Sequence, residues 1–255
     1  MKNSVFVGVL IVVAFIVSIL IYYLVFGAAG NFKDAKTPAN ILGAIFLGGP
    51  IVMILLTLSI MVITFTVERF LSLSKAKGKG AIETFLKNIT INLKEGNIDE
   101  AISLCDKQKG SIANILKQGL ERYQVLVMDS GMDAEKKLQE VTRAIEEALL
   151  LELPLLERNL VALSTIASVS VLVGLFGTVL GMIRSFQALA TAGTPNAAEL
   201  SMGISEALIN TAGGLFGAIV GTIFYNFFVT KVGNITYMID EASYNLLQIL
   251  ALKSK

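Results

Sequence analysis

Gly174-Leu-Phe-Gly-Thr-Val-Leu-Gly181, continued by Met-Ile-Arg184, and Glu206-Ala-Leu-Ile-Asn-Thr211-Ala-Gly-Gly214 are the two stretches whose reading decides the fold. Each puts glycine, hydroxyl and ionisable side chains into or beside a long run that is otherwise apolar. The runs, 159–183 and 207–230, exceed the roughly 20 residues that a helix needs to cross a hydrocarbon core. Two more uncharged runs, 4–26 and 39–67, reach the same length. The second of these contains Gly48-Gly49-Pro50, and proline suits a first helical turn, so its span is expected to begin near Pro50, with 41–47 lying at the outer surface.

Composition agrees with a bilayer as solvent. The chain is 54% hydrophobic and 16% charged, with mean hydropathy +0.71, far more apolar than a single soluble core of 255 residues requires. A net charge of +1 offers no basic surface for nucleic acid. Histidine is absent, which removes the commonest metal ligand and the usual near-neutral proton carrier, so neither a metal site nor a cofactor is expected. The only cysteine, Cys105, has no intramolecular disulfide partner and reads as a buried helix residue.

Fourteen of the 21 basic residues fall within 69–158, whereas the link 187–199 has no Lys or Arg and 27–38 has only Lys33 and Lys36. Lys2, Arg69, Lys75, Lys77, Lys79, Arg158 and Lys231 flank the spans on one side. Positive flanks mark the cytoplasmic face, which places both termini and the charged middle there. The first run also admits a second reading, a cleaved signal peptide ending at Gly27-Ala28-Ala29; its apolar length favours a retained span.

The charged middle reads as helices. In Ile98-Asp-Glu-Ala-Ile-Ser-Leu-Cys105 apolar residues recur at helical spacing, after a Gly96 stop and an Asn97 suited to capping. A partner helix is expected over 112–123. From Asp133 helix formers run on into the third span, with Pro154 the only breaker, so one long helix that kinks there is expected. The division that follows is a span and external link (1–40), a surface segment and span (41–70), a cytoplasmic helical region (71–158), two polar-lined spans (159–230) and a cytoplasmic C-terminal helix (231–255). The fold class is an all-α membrane protein with an N-terminal span, three further transmembrane helices and long helices projecting into the cytoplasm.

Thr178 lies 20 residues from Arg158 and Thr211 lies 20 from Lys231, so antiparallel spans would set the two hydroxyls at similar depth. Arg184 and Glu206, at 26 and 25 residues, could meet nearer the outer surface. A charge in hydrocarbon costs on the order of 3 kcal/mol and is usually paired or functional. Glu206 therefore has two readings, an ion pair with Arg184 and an ion-path carboxylate. The threonines also have two, since a hydroxyl in a membrane helix commonly bonds the carbonyl one turn back. Glu206 and Thr211 lie about 140° apart around their helix, so a path shared by both must be wide or formed between subunits. Gly213, Gly217 and Gly221 recur every four residues, and Gly174, Gly177 and Gly181 crowd the third span, a pattern that suits close helix packing, including packing between copies of the chain.

At these residues the chain resembles the ExbB, TolQ and MotA family of proton-channel proteins, most closely the ExbB and TolQ branch. The most specific matches are 174–186 and 203–213, with Gly48-Gly-Pro, Val67-Glu-Arg-Phe70 and Gly96-Asn-Ile-Asp-Glu-Ala101 as weaker landmarks. Val171 stands where many relatives have proline, and Arg184 where some are neutral. The resemblance implies a homopentamer in the bacterial inner membrane around a single-span subunit of the ExbD or TolR type, whose membrane aspartate carries protons. Thr178, Glu206 and Thr211 match ion-path positions. A third protein such as TonB or TolA would transmit the work to the outer membrane, with TonB-dependent uptake the first expectation and envelope maintenance of the TolQ kind the alternative. A scaffold without ion flow is the rival of a different class. A secondary transporter lacks its inverted repeats, and no nucleophile, base and orienting group form an enzyme's set.

Overall fold

The computed structural model describes residues 2–34, 37–128, 132–191 and 197–253. Lys36, residues 192–196 of the Lys/Arg-free link and the Lys2 side chain lie outside what is described. The chain divides into two compact units, Met1–Val67 with Asn159–Asn226, and Glu68–Arg158 with Phe227–Lys255. Among the described residues four helices are long and apolar enough to cross a membrane, and the chain is an all-α, multi-pass membrane protein.

In the first unit, α1 (Lys2–Leu20) passes into a wider-wound segment, Ile21–Phe26, and a short antiparallel pair, β1 (Phe32–Asp34) with β2 (Thr37–Pro38), precedes α2 (Ile41–Phe46). Val, Ile and Phe are poor intrinsic helix formers, but where no water can bond the backbone only internally satisfied helices persist. Ser18 on α1 and Tyr22 in the segment after it then point at protein. The Ser18 hydroxyl meets that of Thr57 at 2.9 Å, and both residues are buried. Tyr22 donates to the Phe46 carbonyl at 2.8 Å and stacks on its ring, centroids 4.6 Å apart. Asn40 caps α2 by accepting from the Gly43 amide at 3.0 Å. Gly49, at φ +74°, turns the chain into α3 (Pro50–Ala76), where proline's fixed φ fits the first turn. The remaining helices are α8 (Leu160–Thr191) and α9 (Ala197–Lys253), and α3 and α9 each continue into the second unit.

The second unit adds α4 (Ile82–Glu95), α5 (Ile98–Gln108), α6 (Ser111–Val127) and α7 (Ala134–Glu157). The α6 stripe Ile112, Ile115, Leu116, Gly119, Leu120 and Tyr123 follows helical spacing and is buried. A Cβ on Gly119 would stand 2.7 Å from the Ile145 side chain, so α6 and α7 meet closely there. Cys105 is 2% exposed, within this core. Gly96, at φ +91°, ends α4, but the expected Asn97 cap is not made: its amide turns back to Glu95 at 3.2 Å, leaving the next helix without a side-chain cap.

The single long helix expected through Pro154 is also corrected. Pro154 sits inside α7, and the chain breaks four residues later, where Arg158 is extended (φ −49°, ψ 139°) and Asn159 takes φ +61° before α8 begins. Asparagine tolerates the left-handed region better than most residues, so the break falls where the backbone can turn rather than where an N–H is missing. The last carbonyls of a helix have no partner within it. Arg69, fully buried, donates to that of Leu156 at 3.2 Å while Glu68 chelates its guanidinium at 2.7 and 2.8 Å.

Candidate ion-path site

The site is built where α8 and α9 lose their side chains. A Cβ on Gly174 would lie 3.0 Å from the Gly214 Cα, one on Gly214 2.6 Å from the Ser170 carbonyl, and one on Gly181 2.8 Å from the Ala207 amide nitrogen. These are backbone atoms, which cannot swing aside, so glycine is what lets the helices approach this closely. At that separation a side chain as short as threonine's reaches across. Thr178 and Thr211 hydrogen-bond directly through their hydroxyls. Each is also within bonding distance of the carbonyl one turn back, Gly174 for Thr178 and Ala207 for Thr211, both at 3.2 Å. Each threonine thus makes the one-turn-back bond and also meets its counterpart across the helix pair. With one proton per hydroxyl, one threonine donates to the other, which donates to a carbonyl, and the direction can reverse.

Arg184 and Glu206 form an ion pair. The carboxylate side chain is 11% exposed and the arginine 51%, so the acid is enclosed and the base reaches outward. The Gly48–Gly49 turn closes over the acid: a Cβ on Gly49 would lie 2.8 Å from the Glu206 Oε1. Asn210, one turn beyond Glu206 and fully buried, donates to the Gly48 carbonyl at 2.9 Å. Glu206 and Asn210 therefore face the turn, whereas Thr211 faces α8, which is the angular separation the helical count gave.

The glycine stripe on α9 is used inside the subunit. Substituent atoms at Gly213 would meet Leu55, at Gly217 Ser170 and Ser59, and at Gly221 Ala167 and Val62. The expectation that this face joins copies of the chain is corrected accordingly, because α3 and α8 of the same subunit cover it. Gly177 packs against the Asn210 side chain, at 2.5 Å for a Cβ. In the sequence Gly48-Gly49-Pro50 reads as a helix start and carries no signal of the contact between Asn210 and Gly48.

Residues 107–241 match the sequence model of the MotA/TolQ/ExbB proton channel family, more than half of the chain, and the chain belongs to that family. It is similar to the Tol-Pal system protein TolQ of Pseudomonas aeruginosa, 40% identical over 120 residues, which cover 47% of this chain and 52% of that one. The biopolymer transport protein ExbB of Salmonella typhimurium is 40% identical over 93 residues, 36% of this chain and 37% of the other. ExbB of Neisseria meningitidis is 23% identical over 197 residues, covering 76% and 87%. The chain thus spans about half, or less, of the length of the first two. The family match takes in Thr178, Arg184, Glu206 and Thr211 and leaves the landmarks before residue 107 outside it.

Proposed function

We propose that this chain is the proton-channel and stator subunit of an inner-membrane complex that couples proton motive force to work at the outer membrane. The observation that carries the reading is the Thr178–Thr211 hydroxyl pair, held between two apolar helices by glycine contacts and flanked by the enclosed Glu206. Reversible hydroxyl donors inside an apolar bundle suit proton passage better than mere packing, which valine would serve as well. The working assembly in this proposal is a homopentamer around a single-span subunit of the ExbD or TolR type, with a TonB-like or TolA-like protein transmitting the work. TonB-dependent uptake is the first reading. The Tol reading is favoured by the similarity to the P. aeruginosa TolQ. The basic segment 69–158 is cytoplasmic in this proposal, and no enzymatic step belongs to it.

The scaffold reading draws on a specific observation, the Arg184–Glu206 pair, which gives Glu206 a structural task. Proton flux into vesicles holding the purified complex separates the two. Loss of flux in Thr178→Val with assembly intact supports a channel, whereas a complex that carries no protons in its unaltered form leaves the scaffold.

A further inference from the structure

The polar groups of the site fall into two clusters, the Glu206–Arg184 corner under the Gly48–Gly49 turn and the Thr178–Thr211 pair between α8 and α9. The helical count sets Glu206 and Thr211 about 140° apart on α9, with Asn210 about 40° from the first and 100° from the second. Asn210 is also where three elements meet: it belongs to α9, its Nδ2 donates to the Gly48 carbonyl at 2.9 Å, and Gly177 of α8 lies against its side chain. A carbonyl accepts only from a donor, so the bond to Gly48 fixes which end of the amide is nitrogen. That leaves Oδ1 as a buried acceptor with no hydrogen-bond donor among the described residues. Leaving such an atom unmet is costly, and packing alone would avoid that cost with an apolar side chain at the same position.

We propose that Asn210 is the fourth polar residue of the ion path, its Oδ1 accepting from a water molecule or hydrated proton that passes between Glu206 and the Thr178–Thr211 pair. The inference rests on the ion-path reading above. It gives the path the width that the angle between Glu206 and Thr211 demands, and it assigns the ligand class as water or hydronium. Gly177 belongs to the same device, since a side chain there would collide with Asn210.

The test compares proton flux, read by a pH-sensitive dye enclosed in vesicles, for the unaltered complex and for Thr178→Val, Asn210→Leu and Asn210→Asp, each with its assembly confirmed by mass. Asn210→Leu keeps the branching at Cγ and removes donor and acceptor, and flux is expected to fall at least about tenfold, the equivalent of one well-made hydrogen bond. Asn210→Asp keeps an acceptor in both protonation states, but once ionised it can no longer donate to Gly48. Flux in the aspartate variant should stay above that of the leucine variant at every pH. If it falls to the leucine level as pH rises, the amide is only a latch on the turn and the proposal is overturned. Normal flux in Asn210→Leu overturns it as well. A loss in Thr178→Val beside normal Asn210→Leu removes this inference and leaves the path. Absent flux in the unaltered complex removes both. Should Asn210→Leu fail to assemble, the pH profile of Asn210→Asp against the unaltered complex still decides: full flux above the ionisation of the aspartate supports the acceptor, and loss there overturns it.

Discussion

The Thr178 and Thr211 hydroxyls bond each other across α8 and α9 while each remains within reach of a carbonyl in its own helix. The glycines let the two backbones approach closely with or without the hydroxyl pair. Thr178→Val and Thr211→Val keep shape and lose one donor each, so stability should change by no more than about 1–2 kcal/mol, and assembly should persist. Proton-driven work should fall in both, and Thr178→Ser, which keeps the hydroxyl, should retain most of it. Normal proton-dependent work in both valine variants would end the relay role.

That pair was legible in the sequence because a helix has a fixed rise: equal counts of 20 residues from basic flanks put Thr178 opposite Thr211 in antiparallel helices, and 26 against 25 did the same for Arg184 and Glu206. Contacts that depend on how a turn folds over a helix have no such ruler. Asn210 and Gly48 are 162 residues apart, and nothing in either run announces their bond. Periodicity showed that Gly213, Gly217 and Gly221 share a face but not what the face meets, since α3 and a second copy of the chain are equivalent partners in a one-dimensional pattern. The break at Arg158–Asn159 escaped for a similar reason: asparagine is compatible with a left-handed turn and with a helix, and only the fold decides between them.

Glycine substitutions should rank by what a methyl would strike. At Gly214 it meets the Ser170 carbonyl at 2.6 Å and at Gly174 the Gly214 Cα at 3.0 Å, both backbone, and each alanine variant should lose about 1–3 kcal/mol of stability. At Gly213 the nearest atom is the flexible end of Leu55 at 3.2 Å, which predicts a smaller loss. Gly233 has nothing within 4 Å, so Gly233→Ala should be neutral or stabilise by up to about 1 kcal/mol through helix propensity. Thermal unfolding of the purified complex in detergent gives the order, and a Gly233 variant less stable than a Gly214 variant would refute the packing account.

Cys105 should resist thiol reagents from either side of the membrane. It is 2% exposed, and burial, with the Asp106 charge added, pushes its thiol up to about 12. The thiolate is the reactive form, and raising the pKa reduces its share at neutral pH, so labelling should be slow below about pH 10 and quicken only as pH nears the thiol's own value. Topology is therefore better read from Lys107→Cys in a Cys105→Ser background, because the Lys107 side chain is 67% exposed. An impermeant reagent should label that position only in opened membranes; ready labelling in intact cells would invert the proposed orientation.

The first helix should remain in the mature protein. Ser18 and Thr57 join α1 to α3, and Tyr22 fixes the following segment to Phe46, contacts that cleavage after residue 27 would remove. The mass of the purified subunit should include α1. Ser18→Leu strands the Thr57 hydroxyl with only its Met53 carbonyl and should lower stability by about 1–2 kcal/mol. A mature mass beginning near Ala28 would show instead that α1 is cut away.

The Arg184–Glu206 pair decides how far the carboxylate belongs to the path. Glu206 is enclosed and Arg184 is half exposed, so removing the acid leaves a cation that can still reach outward, while removing the base leaves an enclosed anion. Arg184→Gln should therefore be the more damaging single change to stability, by about 3 kcal/mol against less for Glu206→Gln. The double change Glu206→Gln with Arg184→Gln removes both charges and should assemble better than Arg184→Gln alone. Proton-dependent work then separates the roles. A purely structural pair predicts that the double variant recovers assembly and work together, because amides can occupy the same space without a buried charge. A carboxylate that holds charge or exchanges a proton predicts assembly without work, since no arrangement of two glutamine amides can take up and release a proton near neutral pH. The second outcome is the one the ion-path proposal requires, and recovery of work in the double variant would remove Glu206 from the path while leaving Thr178 and Thr211 to be judged by their own variants.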